Sequence, residues 1–171
     1  SYEYDQVGRI IAMVDPNGGR TEYTHDNMGR ITESLNAIGS KKTYGYNAKG
    51  LLESAKNSRG QETTYSYYKN GWLKSFTDEL GTVSYNYDAN GNVLNVTDEN
   101  GTITREYDEM NRVTKYTDFR GNTISYSYDQ LGNLVTLSYP GGRIVRYEYY
   151  KTGNLKNVTD WDCGVTSCEY D

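Results

Sequence analysis

Tyrosine recurs along this chain every twenty or twenty-one residues, within a unit that reads Tyr-x-Tyr-Asp-x-x-Gly-(Arg/Asn)-aliphatic. The first position of the unit falls at residues 2, 23, 44, 65, 85, 105, 126 and 147, and a partial ninth copy starts at 168. A period this strict restricts the chain to a stacked array of small supersecondary units, each contacting its neighbours. Such an array supplies a surface or a wall more readily than a unique catalytic pocket. A single array over residues 1–171 accounts for the whole chain.

Leu, Ile, Val and Phe make up only about 17 per cent of the residues, a level at which disorder becomes a live reading. Nineteen Tyr and two Trp argue against it, because aromatic rings bury large areas. The packing surface must therefore be made largely of Tyr. A net charge of −5, with both signs scattered, offers no basic stripe for phosphates, so nucleic acid is not an expected partner. The apolar runs are too short for a membrane-spanning helix. The chain starts at Ser1 rather than Met and stops in mid-motif, so it is expected to be a piece of a longer protein.

Let the first Tyr be position 0: Tyr2, Tyr23, Tyr44, Tyr65, Tyr85, Tyr126 and Tyr147, with Arg105 in the sixth copy. Position 2 is Tyr4, His25, Tyr46, Tyr67, Tyr87, Tyr107, Tyr128 and Tyr149. Position −2 is mostly β-branched, as in Thr21, Val83 and Ile124, and the intervening positions are polar. This two-fold alternation predicts a half-buried strand with a Tyr face and a wet face.

The next segment is a turn. Asp5–Gly8, Asp26–Gly29, Asp88–Gly91 and Asp129–Gly132 place Asp first and Gly fourth. That order fits a type I turn followed by a left-handed residue, the three-residue hairpin loop with a Gly bulge. Gly50, Gly71 and Gly153 hold the same place; Tyr68 and Tyr150 replace the Asp in two copies. After Asp108 the Gly is replaced by Asn111, and Asn tolerates the left-handed region better than other non-Gly residues. A three-residue loop sets position 2 opposite position 8, which is aliphatic in every copy from Ile10 to Leu155.

A second turn follows about ten residues later, at Asp15–Gly18, Asn36–Gly39, Asn57–Gly60, Asp78–Gly81, Asp98–Gly101 and Asp118–Gly121. Each repeat is then two antiparallel strands, and eight repeats give about sixteen. The fold class is all-β, tandem hairpin repeats in a curved or spiralling sheet. Columns of Tyr, ring against ring, are expected to cross it. Apolar residues at positions 9 and 11, such as Ile11/Met13 and Val135/Leu137, are expected to leave the outer face only partly solvated.

Tyr-x-Tyr-Asp-x-x-Gly-Arg-(Ile/Val), as in Tyr2–Ile10, resembles the Rhs/YD repeat, and the likeness covers the full length. The resemblance implies a segment of a very large secreted or cell-surface protein: a bacterial Rhs or wall-associated toxin, a Tc toxin component, or a teneurin. It implies a strip of sheet that spirals into a hollow shell, and the residues named above are then structural repeat positions. The implied partners are adjacent repeats of a longer parent and an enclosed toxin domain. Edge strands, where unpaired, would promote self-association.

No constellation supports an enzyme, and no cofactor is expected. His25, the one His, stands in the Tyr column and reads as a ring replacing a Tyr. A dyad with Cys163 or Cys168 would reach across six repeats, roughly 55 Å on a flat sheet. Asp88–Asn92 and Asp98–Gly101 carry too few oxygens for a dedicated calcium loop. Five extended residues hold Cys163 and Cys168 roughly 16 Å apart, so a bridge needs an irregular last repeat. Asn95, Asn100 and Asn157 head glycan sequons, which matter only in an animal ectodomain. The alternative function is a hairpin module that binds cell-surface glycan by ring stacking. Trp72 and Trp161, which depart from the repeat pattern, are its candidate platforms.

Overall fold

The computed structural model describes residues 1–170; Asp171, the turn Asp of the partial ninth copy, lies outside the described residues. Seventeen strands follow one another, with one 3-10 turn at Pro140–Gly142 and no α-helix among the described residues. The seventeenth strand is the one that precedes the ninth copy of the motif.

The strands fall in two compact units, Ser1–Val83 and Ser84–Asp171. In the first, β1 (Tyr2–Tyr4), β2 (Ile10–Val14), β3 (Arg20–His25) and β4 (Ile31–Leu35) are followed by β5 (Lys41–Tyr46), β6 (Leu52–Lys56), β7 (Glu62–Tyr67) and β8 (Leu73–Asp78). Each pairs antiparallel with the next. The second holds the paired part of β9 (Gly81–Tyr87), then β10 (Val93–Asp98), β11 (Gly101–Tyr107), β12 (Val113–Thr117) and β13 (Thr123–Tyr128). It continues with β14 (Leu134–Ser138), β15 (Ile144–Tyr149), β16 (Leu155–Thr159) and β17 (Val165–Ser167). The pairing is again sequential and antiparallel.

The first turn has the geometry that Asp-x-x-Gly predicts. Gly8 N–H donates to the Asp5 carbonyl at 3.1 Å, and Asp5 N–H to the Arg9 carbonyl at 2.9 Å. Gly29 and Gly132 sit at φ 82° and 91°, and Asn111 at 63°. Only a residue that accepts positive φ closes this loop without strain. Position 2 does lie opposite position 8, as in Tyr4↔Ile10 and Tyr128↔Leu134.

The next step along the strand departs from expectation. Glu3 pairs with Ala12 rather than Ile11, so every described hairpin carries a bulge just after position 8. A bulge adds one residue to one strand and reverses its facing from that point. Position 11 is thereby carried onto the Tyr face. Met13 lies opposite Tyr2, Phe76 opposite Tyr65, Val96 opposite Tyr85 and Leu137 opposite Tyr126. The expectation that position-11 residues cover the outer face is corrected; they widen the Tyr face.

The second turns are of two kinds, and the difference explains the period. Asp15–Gly18 repeats the three-residue loop, with Asp15 N–H on the Gly19 carbonyl at 3.0 Å. Asp98 instead pairs directly with Gly101, which leaves a two-residue loop and places φ 141° on that Gly. Gly81 has a similar φ of 130°. These two shorter loops are the places where the repeat steps by twenty residues instead of twenty-one.

Strands such as β7 and β11 alternate half-buried and exposed along their whole length. Ala12 and Val145 are the fully buried apolar residues among those described. Ala12 is on the wet face, between Glu3 and Glu22 in register, and Arg20 bonds both carboxylates above it. A sheet with so little closed core must gain much of its stability from contacts between successive hairpins.

Candidate functional site

Those contacts recur at one place in every repeat, the seam between one hairpin's Asp turn and the next hairpin's second Tyr. The turn Asp comes first. Asp108 Oδ1 accepts from the amides of Met110 and Arg112, both at 2.9 Å, and its Oδ2 accepts from Arg112 Nε at 2.7 Å. Asp5 and Asp26 repeat the arrangement with Arg9 and Arg30. In Asp88 and Asp129 the Arg is replaced by Asn92 and Asn133, whose amides reach the same oxygen at 2.8 and 2.9 Å. This is the Asx turn, with a side-chain donor added, and it explains why Arg or Asn follows the Gly.

The Arg then reaches forward. Its guanidinium lies over the position-2 ring of the next repeat: Arg30 over Tyr46 at 4.6 Å, Arg112 over Tyr128 at 4.5 Å. Arg9 Nη1 donates to the Asp26 carbonyl in the following turn at 3.2 Å. The rings were expected to stack on one another; in this column they lie beneath a cation instead, a contact of about 0.5–1 kcal/mol at partly exposed sites. At position 0 ring contacts do occur, with Tyr65 and Phe76 at 6.4 Å. Where Arg105 replaces the Tyr, it lies over Tyr116 at 5.8 Å.

The Tyr hydroxyl closes the seam. Adjacent hairpins pair only part of the way: the β12–β13 ladder stops at Lys115↔Ser125, short of Val113. Tyr128 crosses the gap and donates its hydroxyl to the Val113 carbonyl at 2.8 Å. Tyr46 does the same to Ile31 at 2.8 Å, Tyr67 to Leu52 at 2.7 Å, Tyr107 to Val93 at 2.9 Å and Tyr149 to Leu134 at 2.9 Å. The phenol thus replaces a backbone donor that the splayed strands no longer supply. Phe fills the same space but lacks the donor, which accounts for Tyr at this position.

The remaining sequence candidates lie away from any shared pocket. His25 occupies its Tyr place in β3, opposite Ile31. Cys163 takes the turn position at φ 66°, and both it and Cys168 are free thiols. Trp161 is 48% exposed, but Tyr139 meets it edge-on at 6.2 Å and Arg143 lies over it at 5.8 Å. Trp72 stands at position 7 in the first unit, its carbonyl accepting from Tyr68 N–H at 2.8 Å. Asn111 does more than tolerate positive φ. Its side-chain oxygen accepts from Asn90 and Asn92 of the preceding turn at 3.0 and 2.7 Å. No group of three or more potential metal ligands occurs among the described residues.

The seam sets the expected pH response. The Arg30 side chain first, then its amide, holds Asp26 below the usual carboxylate range. Arg112 does the same to Asp108, and Asn133 to Asp129. Depressed carboxylates stabilise the fold above the unfolded value of about 3.9, and that contribution is lost as pH falls through the folded values. Burial pushes the phenols of Tyr67, Tyr128 and Tyr149 up. Their contribution is complete below an unfolded value of about 10 and is lost as pH rises through the folded values. Melting midpoints should be level between pH 5.5 and 8.5, then fall below about pH 4 and above about pH 10. A midpoint unchanged at pH 2.5 would contradict the Asp turn's role.

Comparison with known proteins places the repeat. The profile described as RHS Repeat matches residues 4–40, 67–102, 87–123 and 120–144, together more than half of the chain. No curated relative matches by sequence. Among solved structures, the TcdB2–TccC3 complex without its hypervariable C-terminal region is similar over 99% of this chain, at 18% identity and a TM-score of 0.80. The Photorhabdus luminescens Tc holotoxin pore is similar over 92%, at 15% identity and a TM-score of 0.73. This chain spans only 10% and 12% of those two chains, and at these identities the likeness is one of fold.

Proposed function

The chain belongs to the RHS repeat family, and we propose that it is a non-catalytic wall segment of a hollow shell in a large secreted or cell-surface protein. The observation that carries this reading is the seam. Each hairpin is bound to the next by the same Arg, Tyr and Asp contacts, with no term that limits the number of hairpins. A structure of this kind extends by repetition and encloses space instead of forming one pocket. The similarity to TcdB2–TccC3 supports it. On this reading the shell's contents are a toxic domain of the parent, and adjacent repeats are the chain's immediate partners. Trp161 already has Tyr139 and Arg143 against it, which favours the wall over the alternative of glycan stacking.

A wall has two faces with different access, and this gives the test. Thr63 faces the Tyr side of β7 and is half-buried, while Thr64 beside it faces the other side and is exposed. Cys is introduced at either place in the full-length parent, with Cys163→Gly and Cys168→Ser as background. Small maleimides should label both sites. A maleimide carried on a bulky polymer should label one site at least about tenfold faster than the other. Equal labelling by the polymer reagent would contradict a closed wall.

A further inference from the structure

One seam lacks its staple. Five position-2 tyrosines donate to the position-8 carbonyl of the preceding repeat at 2.7–2.9 Å. In the second repeat that place is His25, and the carbonyl it faces belongs to Ile10. The β2–β3 ladder stops at Ala12↔Glu22, so Ile10 lies beyond it, as Val113 lies beyond the β12–β13 ladder. No side chain of the described residues hydrogen-bonds the Ile10 carbonyl. An imidazole has no para hydroxyl to offer it. Arg9 is held as Arg30 and Arg112 are, through Asp5 at 2.6 Å and onward to the Asp26 carbonyl, but no tyrosine ring lies beneath it. The vacated place is an open concavity of about 510 Å³, bordered by Arg9, Ile10, Tyr23, His25, Gly29 and Ile31.

We propose that this concavity is a binding site for a phenol ring. The ring lies under the Arg9 guanidinium, between the aliphatic side chains of Ile10 and Ile31, and its hydroxyl donates to the Ile10 carbonyl. Each of these contacts is made within the chain by Tyr46 and Tyr128 in their own repeats: cation above, aliphatic residue opposite, carbonyl ahead. The site therefore selects for the hydroxyl as well as for the ring, because the carbonyl has lost its ladder donor. A free phenolic molecule and a tyrosine side chain presented by another polypeptide share this chemistry.

The test titrates the isotope-labelled chain with p-cresol, toluene and the peptide acetyl-Gly-Tyr-Gly-amide, reading amide shifts. Shifts should saturate and be confined to residues near 8–10, 25 and 29–31. Toluene should bind at least about fivefold more weakly than p-cresol, the loss of one hydrogen bond. His25→Tyr should abolish binding, because its own ring fills the site, and should raise the melting midpoint by roughly 2–4 °C. Tighter binding of the peptide than of p-cresol assigns the site to a partner's tyrosine; the reverse order assigns it to free phenols. Equal affinity for toluene and p-cresol, shifts spread along other repeats, or full binding by His25→Tyr would each overturn the proposal. None of these outcomes bears on whether the segment is a wall.

Discussion

Replacing Gly29 or Gly132 with Val should destabilise the chain by about 2–3 kcal/mol in urea titrations, since a β-branched residue is a genuine outlier at positive φ. The cause is backbone strain and not crowding. A Cβ at Gly132 would stand 3.5 Å from Arg112 Nη1, and one at Gly29 3.6 Å from Arg9 Cδ, both ordinary contacts. The φ values of 91° and 82° are what Val cannot adopt cheaply. Asn111→Gly separates the two effects at an equivalent turn. It relieves the left-handed backbone but removes the acceptor for Asn90 and Asn92. The two changes oppose each other, so its stability should stay within about 0.5 kcal/mol of the parent chain. Val variants that unfold together with the unmodified chain would remove the left-handed turn from the account.

The second large effect lies in the seam. Tyr128→Ala should cost about 2–3 kcal/mol, less than a fully buried ring because Tyr128 is only half-buried. It removes the ring under Arg112 and the donor to the Val113 carbonyl together. Tyr128→Phe removes only the donor and should cost about 1 kcal/mol. Amide exchange should report where the loss falls, with protection decreasing in β12 and β13 while β16 is unaffected. If Phe equals the parent chain while Ala is strongly destabilised, the ring matters and the staple does not. If Ala is also neutral, the seam holds nothing together.

The hairpin repeat was legible because it is written in residue types with strong local preferences. Asp5 and Gly8 specify the turn, Tyr4 and Ile10 alternate in step with it, and eight copies in register leave little freedom. The bulge after position 8 was not legible. It has no residue signature, since Ile11, Thr32, Glu53 and Lys74 all occupy the extra place. A signal was nonetheless present: Met13, Phe76, Val96 and Leu137 share a position that strict alternation assigns to the solvent side. That conflict between pattern and composition is what one inserted residue resolves.

The seam was half legible. The Asp, the Arg and both tyrosines were marked as repeat positions, but their roles depend on contacts between residues fifteen or more apart. Tyr46 and Ile31 meet only because the ladder between their hairpins stops early. Loop length behaved similarly. The two steps of twenty residues were visible in the spacing, while the shortened loops behind them, at Asp78–Gly81 and Asp98–Gly101, required the backbone. Asn111 was read as a tolerant substitute, and its hydrogen bonds to the preceding turn add a reason that one repeat taken alone cannot contain.

The central claim is that these hairpins are wall, each joined to the next through the Arg–Tyr seam. Electron cryomicroscopy of the full-length parent tests it most directly. The account expects a hollow particle in which this segment forms part of the boundary, with hairpins ordered as in the sequence and Tyr128 on the Val113 carbonyl. A segment standing free as a rod, closed on itself as a barrel, or folded around a bound ligand within a single compact domain would contradict it.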